Sequence, residues 1–582
     1  MNRIEQLEAA LTIDAAQADH IHVSPARRLT GPGIIWAHPG AIMDIEAADT
    51  EILAGLWGKH ARRVLDAVGW HAQHVTHRRF QGGISLALSA PLDQLYSAVY
   101  VAQAAWQYCA AELLAAEPLA AEPLAFDMLI GDLQAVMAQE ANPALMALMD
   151  AAAAQDVDIL CDDDAVSIGH GAGSKTWPAG ALPGPQDVDW PALHDIPLAL
   201  ITGTNGKTTT TRLCAAIARV AGKTVGLTST DAVQVADEIL ERGDFSGPGG
   251  ARMVLRDPRV EIAVLEVARG GILRRGLATR RARVAVVTNV ARDHLGEYGV
   301  MTLPELAQAK FAVARALGPG GVLVLNADDP HVVEAAASVD KTICWFSLDR
   351  GAPMIRQARA LGQPCAFVSQ GEMVFLDGSG DGFSIALRDV PITHSGMAEH
   401  NTQNALAALC ACMALEISHH AIRTGLCGFV SDTKGNPGRL NEFAYNGARV
   451  FVDFAHNTHS VAAVCRSLAA IPSKRRFLML SQPGDHSDED IGEVTRTAIR
   501  FQPDRIVIAE IADYLRGRVL GETPDLLTRS AISAGIRPEH IGQACAPSVG
   551  AEHILDQLEP GDLALLLVLS DRENVFALLA NP

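Results

Sequence analysis

The chain has 582 residues, 49% of them apolar, and a formal charge of −20 from 47 basic against 67 acidic side chains. Such a length holds about three or four domains with hydrophobic cores of their own, and the negative balance argues against broad binding to nucleic acid or an anionic membrane. The ten cysteines include no CxxC pair, which fits reduced thiols better than disulfides or zinc. No uncharged apolar run reaches the ~18 residues of a membrane span and the N-terminus lacks the apolar core of a secretory signal, so the expected location is cytoplasmic.

Residues 1–160 read as an α+β module. Strand-like runs lie at Ile21–Val23 and Ile84–Leu88, and helical patterns at Ile52–Val68 and Leu95–Leu114. Ala115-Ala-Glu-Pro-Leu119 is repeated at once as Ala120-Ala-Glu-Pro-Leu124; each proline interrupts helix continuation, which predicts a surface turn. Alanine-rich Gln134–Gln155 predicts one helix with a small-residue packing face. Glycine and proline accumulate over 161–191, predicting a linker that contains a tight loop at Gly169-His-Gly-Ala-Gly-Ser-Lys175.

Residues 192–432 alternate strands with helices, with strands expected at Ile262–Leu265, Val284–Val287 and Val322–Leu325. This is the pattern of a parallel sheet covered by helices on both faces. A second alternation fills 433–582, with strands expected at Val450–Val452, Phe477–Leu480, Ile506–Ile508 and Leu563–Leu569. It predicts a small Rossmann-like domain, although no dinucleotide glycine fingerprint precedes its helices.

One stretch carries the chemistry. The apolar run Leu198–Ile201 leads into Gly203-Thr-Asn-Gly-Lys-Thr208, then Thr209, and then a helical pattern from Leu213 to Val220. Strand, glycine turn, Lys-Thr and helix form the setting of a phosphate loop. Glycines let consecutive N–H groups point at a phosphate, and the helix N-terminus adds partial positive charge. Lys207 then reaches the outer phosphates and the Thr208 hydroxyl ligates Mg²⁺, so ATP is expected here. Glu266 ends the strand run at the edge where such sheets bind ligands and pairs sensibly with Thr208 as a metal ligand; the bland reading is a capping or ion-paired glutamate. Asp293-His294 also follows a buried strand, which places His294 to ligate a second metal and Asp293 to orient it.

The order of Gly203-Thr-Asn-Gly-Lys-Thr208, Asp293-His-Leu295, Asn326-Ala-Asp-Asp-Pro330, His400-Asn-Thr-Gln-Asn-Ala405, Asn436-Pro-Gly-Arg-Leu440 and Asp453-Phe-Ala-His456 resembles that of Mur ligases. Thr228-Ser-Thr-Asp231, Gly243-Asp-Phe-Ser-Gly-Pro248, Glu266-Val-Ala-Arg-Gly-Gly-Ile-Leu-Arg-Arg-Gly276, Pro483-Gly-Asp485 and Arg516-Gly-Arg518 resemble the Mur-like ligase half of cyanophycin synthetase. Residues 1–160, with Arg27-Arg-Leu-Thr-Gly-Pro32, resemble that enzyme's N-terminal domain. No stretch has room for its ATP-grasp domain. The implied fold class is α/β: a P-loop Mur-ligase central domain and a C-terminal Rossmann-like domain, preceded by an α+β N-terminal domain.

The resemblance implies an ATP- and Mg²⁺-dependent ligase that joins an amine to a carboxylate through an acyl phosphate. Gly203, Thr204, Asn205, Gly206, Lys207, Thr208 and Thr209 would hold the nucleotide phosphates. Thr208, Glu266 and His294 would hold metal, and Lys310 matches a lysine that several Mur ligases carbamylate. Asn401 and Asn404 match adenine-side asparagines, Asn401 also being a candidate helix cap. Arg439 and Asp453 match residues that reach phosphate and ribose when the C-terminal domain closes. The relative adds arginine to an aspartate side chain, so the implied substrates are an amino acid such as arginine and an acidic peptide or cyanophycin-like polymer. Asp485, Asp488, Glu489 and Asp490, with Glu510 and Asp513, are candidates for receiving the cation. A homo-oligomer is expected, as is association with a separate ATP-grasp ligase. The competing reading is a weakly active or non-catalytic partner subunit of such a synthetase.

Overall fold

The computed structural model describes residues 21–113 and 125–580, with Glu5, Leu7, Glu8 and Leu11. The duplicated Ala115–Leu124 turn lies outside the described residues. In the N-terminal unit, Gly40–Glu46 and Gly83–Ser89 pair antiparallel at the centre of a five-stranded sheet. Side chains alternate across a strand, so Met43, Ile45, Leu86 and Leu88 meet helices Thr50–Val68 and Leu95–Leu113 around Trp57. Ile42 and Ala87 face the opposite way and pack with Leu29.

Two expectations for the following stretch need correction. The single helix over Gln134–Gln155 is two, Phe126–Glu140 and Pro143–Ala154. Proline at the first position of the second cannot continue the first helix, and the Asn142 side chain caps the new start by accepting the Leu145 N–H at 3.1 Å. The 161–191 stretch, read as a linker, is folded. Ile159–Cys161, Ala165–Ile168 and Lys175–Pro178 form an antiparallel three-stranded sheet, packed through Ile168, Val188 and Leu193 on Leu148 and Val157. Asp158 accepts the Thr279 hydroxyl at 2.6 Å and Arg256 pairs with Asp162 at 2.6 Å, which fixes this sheet to the central unit. Glycine and proline there mark its turns.

The central unit is an eleven-stranded sheet. Val225–Thr228, Ile262–Glu266, Leu198–Thr202, Ala282–Val287, Leu317–Asn326, Thr342–Ser347 and Cys365–Ser369 lie side by side and parallel. Antiparallel hairpins finish both edges. Leu198 and Leu200 pack into one covering layer, Ala199 and Ile201 into the other. Leu198–Thr202 is the strand from which the chain winds first to one side and later to the other. That makes its C-terminal end the topological switch point, where α/β sheets open a crevice. The C-terminal unit has six strands in the order Asn441–Tyr445, Ala448–Asp453, Leu563–Leu567, Arg476–Leu480, Arg505–Ala509 and Ile541–Ala544, parallel after the first hairpin. Among the described residues no helix is long and apolar enough to cross a membrane.

The N-terminal unit docks on the central one through Arg27–Gly33. Thr30 N–H donates to Arg275 O at 2.8 Å and Leu277 N–H to Pro32 O at 2.8 Å. Arg27 donates to the Leu273 carbonyl at 2.9 Å while paired with Asp44 at 2.6 Å. A Cβ at Gly31 would collide with the Leu277 carbonyl oxygen, whereas at Gly33 the nearest atom would be 3.8 Å away. Gly31→Ala is therefore expected to weaken the seam by about 1–3 kcal/mol, seen as easier urea- or protease-induced release of the N-terminal unit, while Gly33→Ala leaves it unchanged; equal behaviour of the two would refute this packing.

Candidate active site

The crevice at the switch point is built from three strand ends. After Leu198–Thr202 the chain turns through Gly203 and Gly206, at φ 151° and 82°, into helix Lys207–Val220. Side chains at these glycines would strike Thr288 Oγ1 and Asn404 Oδ1 respectively, so both steric space and backbone angle demand glycine. The loop is held from outside. Thr288 Oγ1 and Asn289 Nδ2 donate to Asn205 O at 2.6 and 3.0 Å, and Asn205 N–H donates to Asn289 Oδ1 at 2.9 Å. Lys207 Nζ folds onto Thr204 O at 3.0 Å.

Glu266, at the end of the neighbouring strand, is 2% exposed. Its Oε2 accepts the Thr208 hydroxyl at 2.9 Å, while Oε1 is buried without a partner. Burial pushes this carboxyl above its ordinary range, opposed by the Lys207 charge. A buried anionic oxygen lacking a partner is costly, and a hard cation beside a carboxylate and a hydroxyl resolves it. These two side chains fit Mg²⁺.

Beyond the third strand, Ala282–Val287, lie Asp293 and His294, with His294 at φ 46°. Lys310 closes helix Leu303–Lys310, and Phe311–Ala316 follows as a tighter 3₁₀ turn. Unlike an ordinary surface lysine it is 3% exposed, and burial followed by the Lys207 charge lowers its pKa far below the usual value.

The adenine-side candidates sit on helix Glu399–Ala414. Asn401 and Asn404 are both buried, and Asn404 Nδ2 donates to Asn401 Oδ1 at 3.2 Å. Asn401 is not a cap: the cap position is Ala398 and no side chain fills it.

The C-terminal unit closes the crevice. Arg439 Nη2 lies 3.4 Å from Thr208 Oγ1 and its guanidinium stacks over Phe454. Asn205 and Asn457 exchange amide hydrogen bonds at 3.3 and 3.0 Å, and Asn205 Nδ2 is 2.9 Å from His459 Nδ1. Asp453 accepts the Leu440 and Ala455 N–H groups, each at 2.7 Å. The cleft is lined by Thr204–Thr209, Glu266, Asn401, Asn404, Arg439 and Asp453 among others. Asn289, Asn457 and His459 receive no role from the sequence; Asn457 belongs to the stretch Asp453-Phe-Ala-His-Asn457 that carries the resemblance, but nothing local signals its partner across the cleft.

The carboxylates of the acidic cluster are ion-paired with arginines of the same chain. Arg516 pairs with Asp485, Arg518 with Asp488 at 2.7 Å, and Arg292 with Asp490 at 3.0 Å and Glu489 at 4.0 Å. Glu510 accepts the Gly521 N–H at 2.6 Å.

With this geometry in view, the comparisons are direct. Residues 201–412 match the Mur ligase middle domain and 438–567 the Mur ligase glutamate ligase domain. The chain belongs to the Mur ligase family, whose members are ATP-dependent enzymes forming C–N bonds. Among its relatives is cyanophycin synthetase of Synechocystis sp., 39% identical over 378 residues, which are 64% of this chain and 42% of that protein. The chain thus spans under half the length of this relative. UDP-N-acetylmuramoylalanine–D-glutamate ligase of Salinibacter ruber is 28% identical over 57% of this chain and 65% of that protein. The crystal structure of MurF from Acinetobacter baumannii aligns with 66% of this chain and 77% of its own at a TM-score of 0.48 and 20% identity.

Burial holds the Asp453 carboxyl up at about 6, against the pull of Arg439 and the backbone N–H groups. An acid raised on folding stabilises the fold below its unfolded pKa, and this contribution is lost as pH rises through about 6. A role as anionic acceptor runs the other way, so ATP affinity is expected to weaken about tenfold from pH 7 to pH 5. Calorimetric titration of wild type against Asp453→Asn checks this; an unchanged slope in the variant would exclude Asp453 as the source.

Proposed function

We propose that the protein uses ATP to activate a carboxylate as an acyl phosphate and then joins it to the amino group of an amino acid. The reading rests above all on the convergence of the Gly203–Thr208 loop, the Thr208–Glu266 pair and Arg439–Asp453 around one cleft. An acceptor carboxylate oxygen bonds to the γ-phosphorus while the bond to the bridging oxygen breaks and ADP leaves. The amine nitrogen then bonds to the acyl carbon, phosphate departs and the nitrogen loses a proton. Two anions must meet in the first step, so charge neutralisation and positioning carry the catalysis.

Lys207 and the loop N–H groups take the β- and γ-phosphates, Asn401 and Asn404 the adenine side, and Arg439 and Asp453 the phosphate and ribose. Thr208 and Glu266 would hold Mg²⁺, which would supply positive charge for the phosphate oxygens, and His294 would ligate a second divalent ion. Lys310 is buried, and burial lowers its pKa, which favours the uncharged amine that forms a carbamate with CO₂. A closed cleft keeps water from the acyl phosphate.

The similarity to cyanophycin synthetase supports arginine as amine and an aspartyl peptide or cyanophycin-like polymer as acceptor. The same reading makes a separate ATP-grasp ligase the partner for the remaining ligation. Phosphate release with Mg²⁺-ATP, across pairs of amino acids and acidic peptides, is expected only when both substrates are present, with a product heavier by one arginyl residue. Lys207→Ala should slow it about 10²–10³-fold, and bicarbonate depletion should lower the wild-type rate. A different active pair would replace the substrates; no turnover with any pair despite ATP binding would favour the partner-subunit reading.

A further inference from the structure

The segment that leads from His294 to helix Leu303–Lys310 joins two parts of the candidate site, and its backbone is strained. His294, Gly296, Tyr298 and Gly299 all have positive φ, at 46°, 101°, 53° and 66°. A bulky side chain such as that of Tyr298 avoids this region, and such residues persist only where their surroundings hold them there.

Much of that hold comes from the N-terminal unit. Side chains alternate along strand Val75–Phe80, so Arg78 and Phe80 share the face turned to the central unit while Arg79 lies on the other. Arg78 Nη2 donates to Gly299 O at 2.6 Å. A Cβ at Gly299 would come within 2.7 Å of the Phe80 ring and 2.8 Å of Arg78 Nη2, so the two backbones meet without a gap. Arg27 stacks over the Tyr298 ring, 4.8 Å from its centroid. Gln81 N–H, in the turn after the strand, donates to Glu305 Oε1 at 2.6 Å, and Glu305 Oε2 accepts the Met301 and Thr302 N–H groups at 2.8 and 2.9 Å. From the central unit, Arg269 pairs with Glu297 at 2.6 Å and Val300 is buried in the core.

The grip reaches the cleft through the short helix. Lys310 lies about 1.4 helical turns beyond Glu305, in the same helix, so a shift of the Glu305 carboxylate is passed to the lysine. Arg78 is also an expensive residue to place in a seam. Its Nε and Nη1 are buried without partners, and an apolar side chain would fill the space at lower desolvation cost. What the guanidinium adds is the bond to the Gly299 carbonyl of the strained turn. We propose that Arg78 is a positioning residue for the ligation: with Gln81 it sets the 297–305 backbone from the N-terminal unit and so places Lys310 in the cleft. The effect on turnover rests on the ligase reading, whereas the mechanical coupling is independent of it.

The test compares full-length wild type, Arg78→Met and Arg79→Met by hydrogen–deuterium exchange and by turnover at varied ATP. Arg79 pairs with Glu51 inside the N-terminal unit and serves as the control. In Arg78→Met, amides 297–305 are expected to exchange about tenfold faster. Its kcat should fall about 10–10²-fold, with KM for ATP unchanged and thermal unfolding as the check on folding. Arg79→Met should match wild type in every respect. In wild type under rising urea, amides 75–80 and 297–305 should open in one transition, which keeps the test decisive if Arg78→Met misfolds. Unaltered exchange in Arg78→Met, an equal effect of Arg79→Met, a loss confined to KM for ATP, or a segment that opens ahead of the hairpin would each overturn the proposal. Absence of turnover in wild type with the exchange coupling intact defeats the ligase reading alone. Wild-type turnover that Arg78→Met leaves unchanged defeats this proposal alone.

Discussion

The buried carboxylate of Glu266 at the end of its strand is the constraint around which this molecule is arranged. One oxygen takes the Thr208 hydroxyl and the other is left without a partner. Such a group persists in a fold only where something outweighs its desolvation. Here the phosphate loop lies on the adjacent strand, so the parallel register that aligns Glu266 with Ile201 also places the carboxylate beside the loop. Lys207 and Arg439 supply the surrounding positive charge. The sheet order thus places a buried carboxylate against the loop that opens helix Lys207–Val220.

Closure is the second requirement, and it is distributed over several small contacts. Arg439, Asn457 and His459 reach the loop from the C-terminal unit. Arg572 of the last described helix pairs with Asp231 at 3.1 Å, alongside Arg212 at 3.1 Å. Partly exposed polar contacts of this kind are individually weak, which suits a unit that must part to admit substrate and release product. The N-terminal unit is fixed differently. Gln81 N–H donates at 2.6 Å to Glu305, whose carboxylate also caps the helix that ends in Lys310. The far side of the site therefore has a rigid support that reaches into a separate sheet.

Much of this was legible because certain residues have few other uses. Gly203 and Gly206 at their spacing, Lys207-Thr208 and a following helix admit one local geometry, and an acid closing an apolar strand marks a sheet edge. The central parallel strands announced themselves through continuous burial. The edge strand Glu238–Arg242 did not, since nearly all its side chains face solvent. Over 161–191, local composition describes the turns, while the buried residues that give the sheet its core come from distant positions such as Leu148. Asp485, Asp488, Glu489 and Asp490 read as a free acidic cluster because their arginines are remote in sequence.

The central claim is that the acceptor carboxylate is phosphorylated before the amine attacks. The direct measurement is turnover with an acceptor whose carboxylate carries ¹⁸O, with mass analysis of the released phosphate. The account predicts that one labelled oxygen passes from each acceptor to phosphate for each amide bond formed. Unlabelled phosphate accompanying product would contradict it, and would require activation by a route other than the one this cleft is built to support.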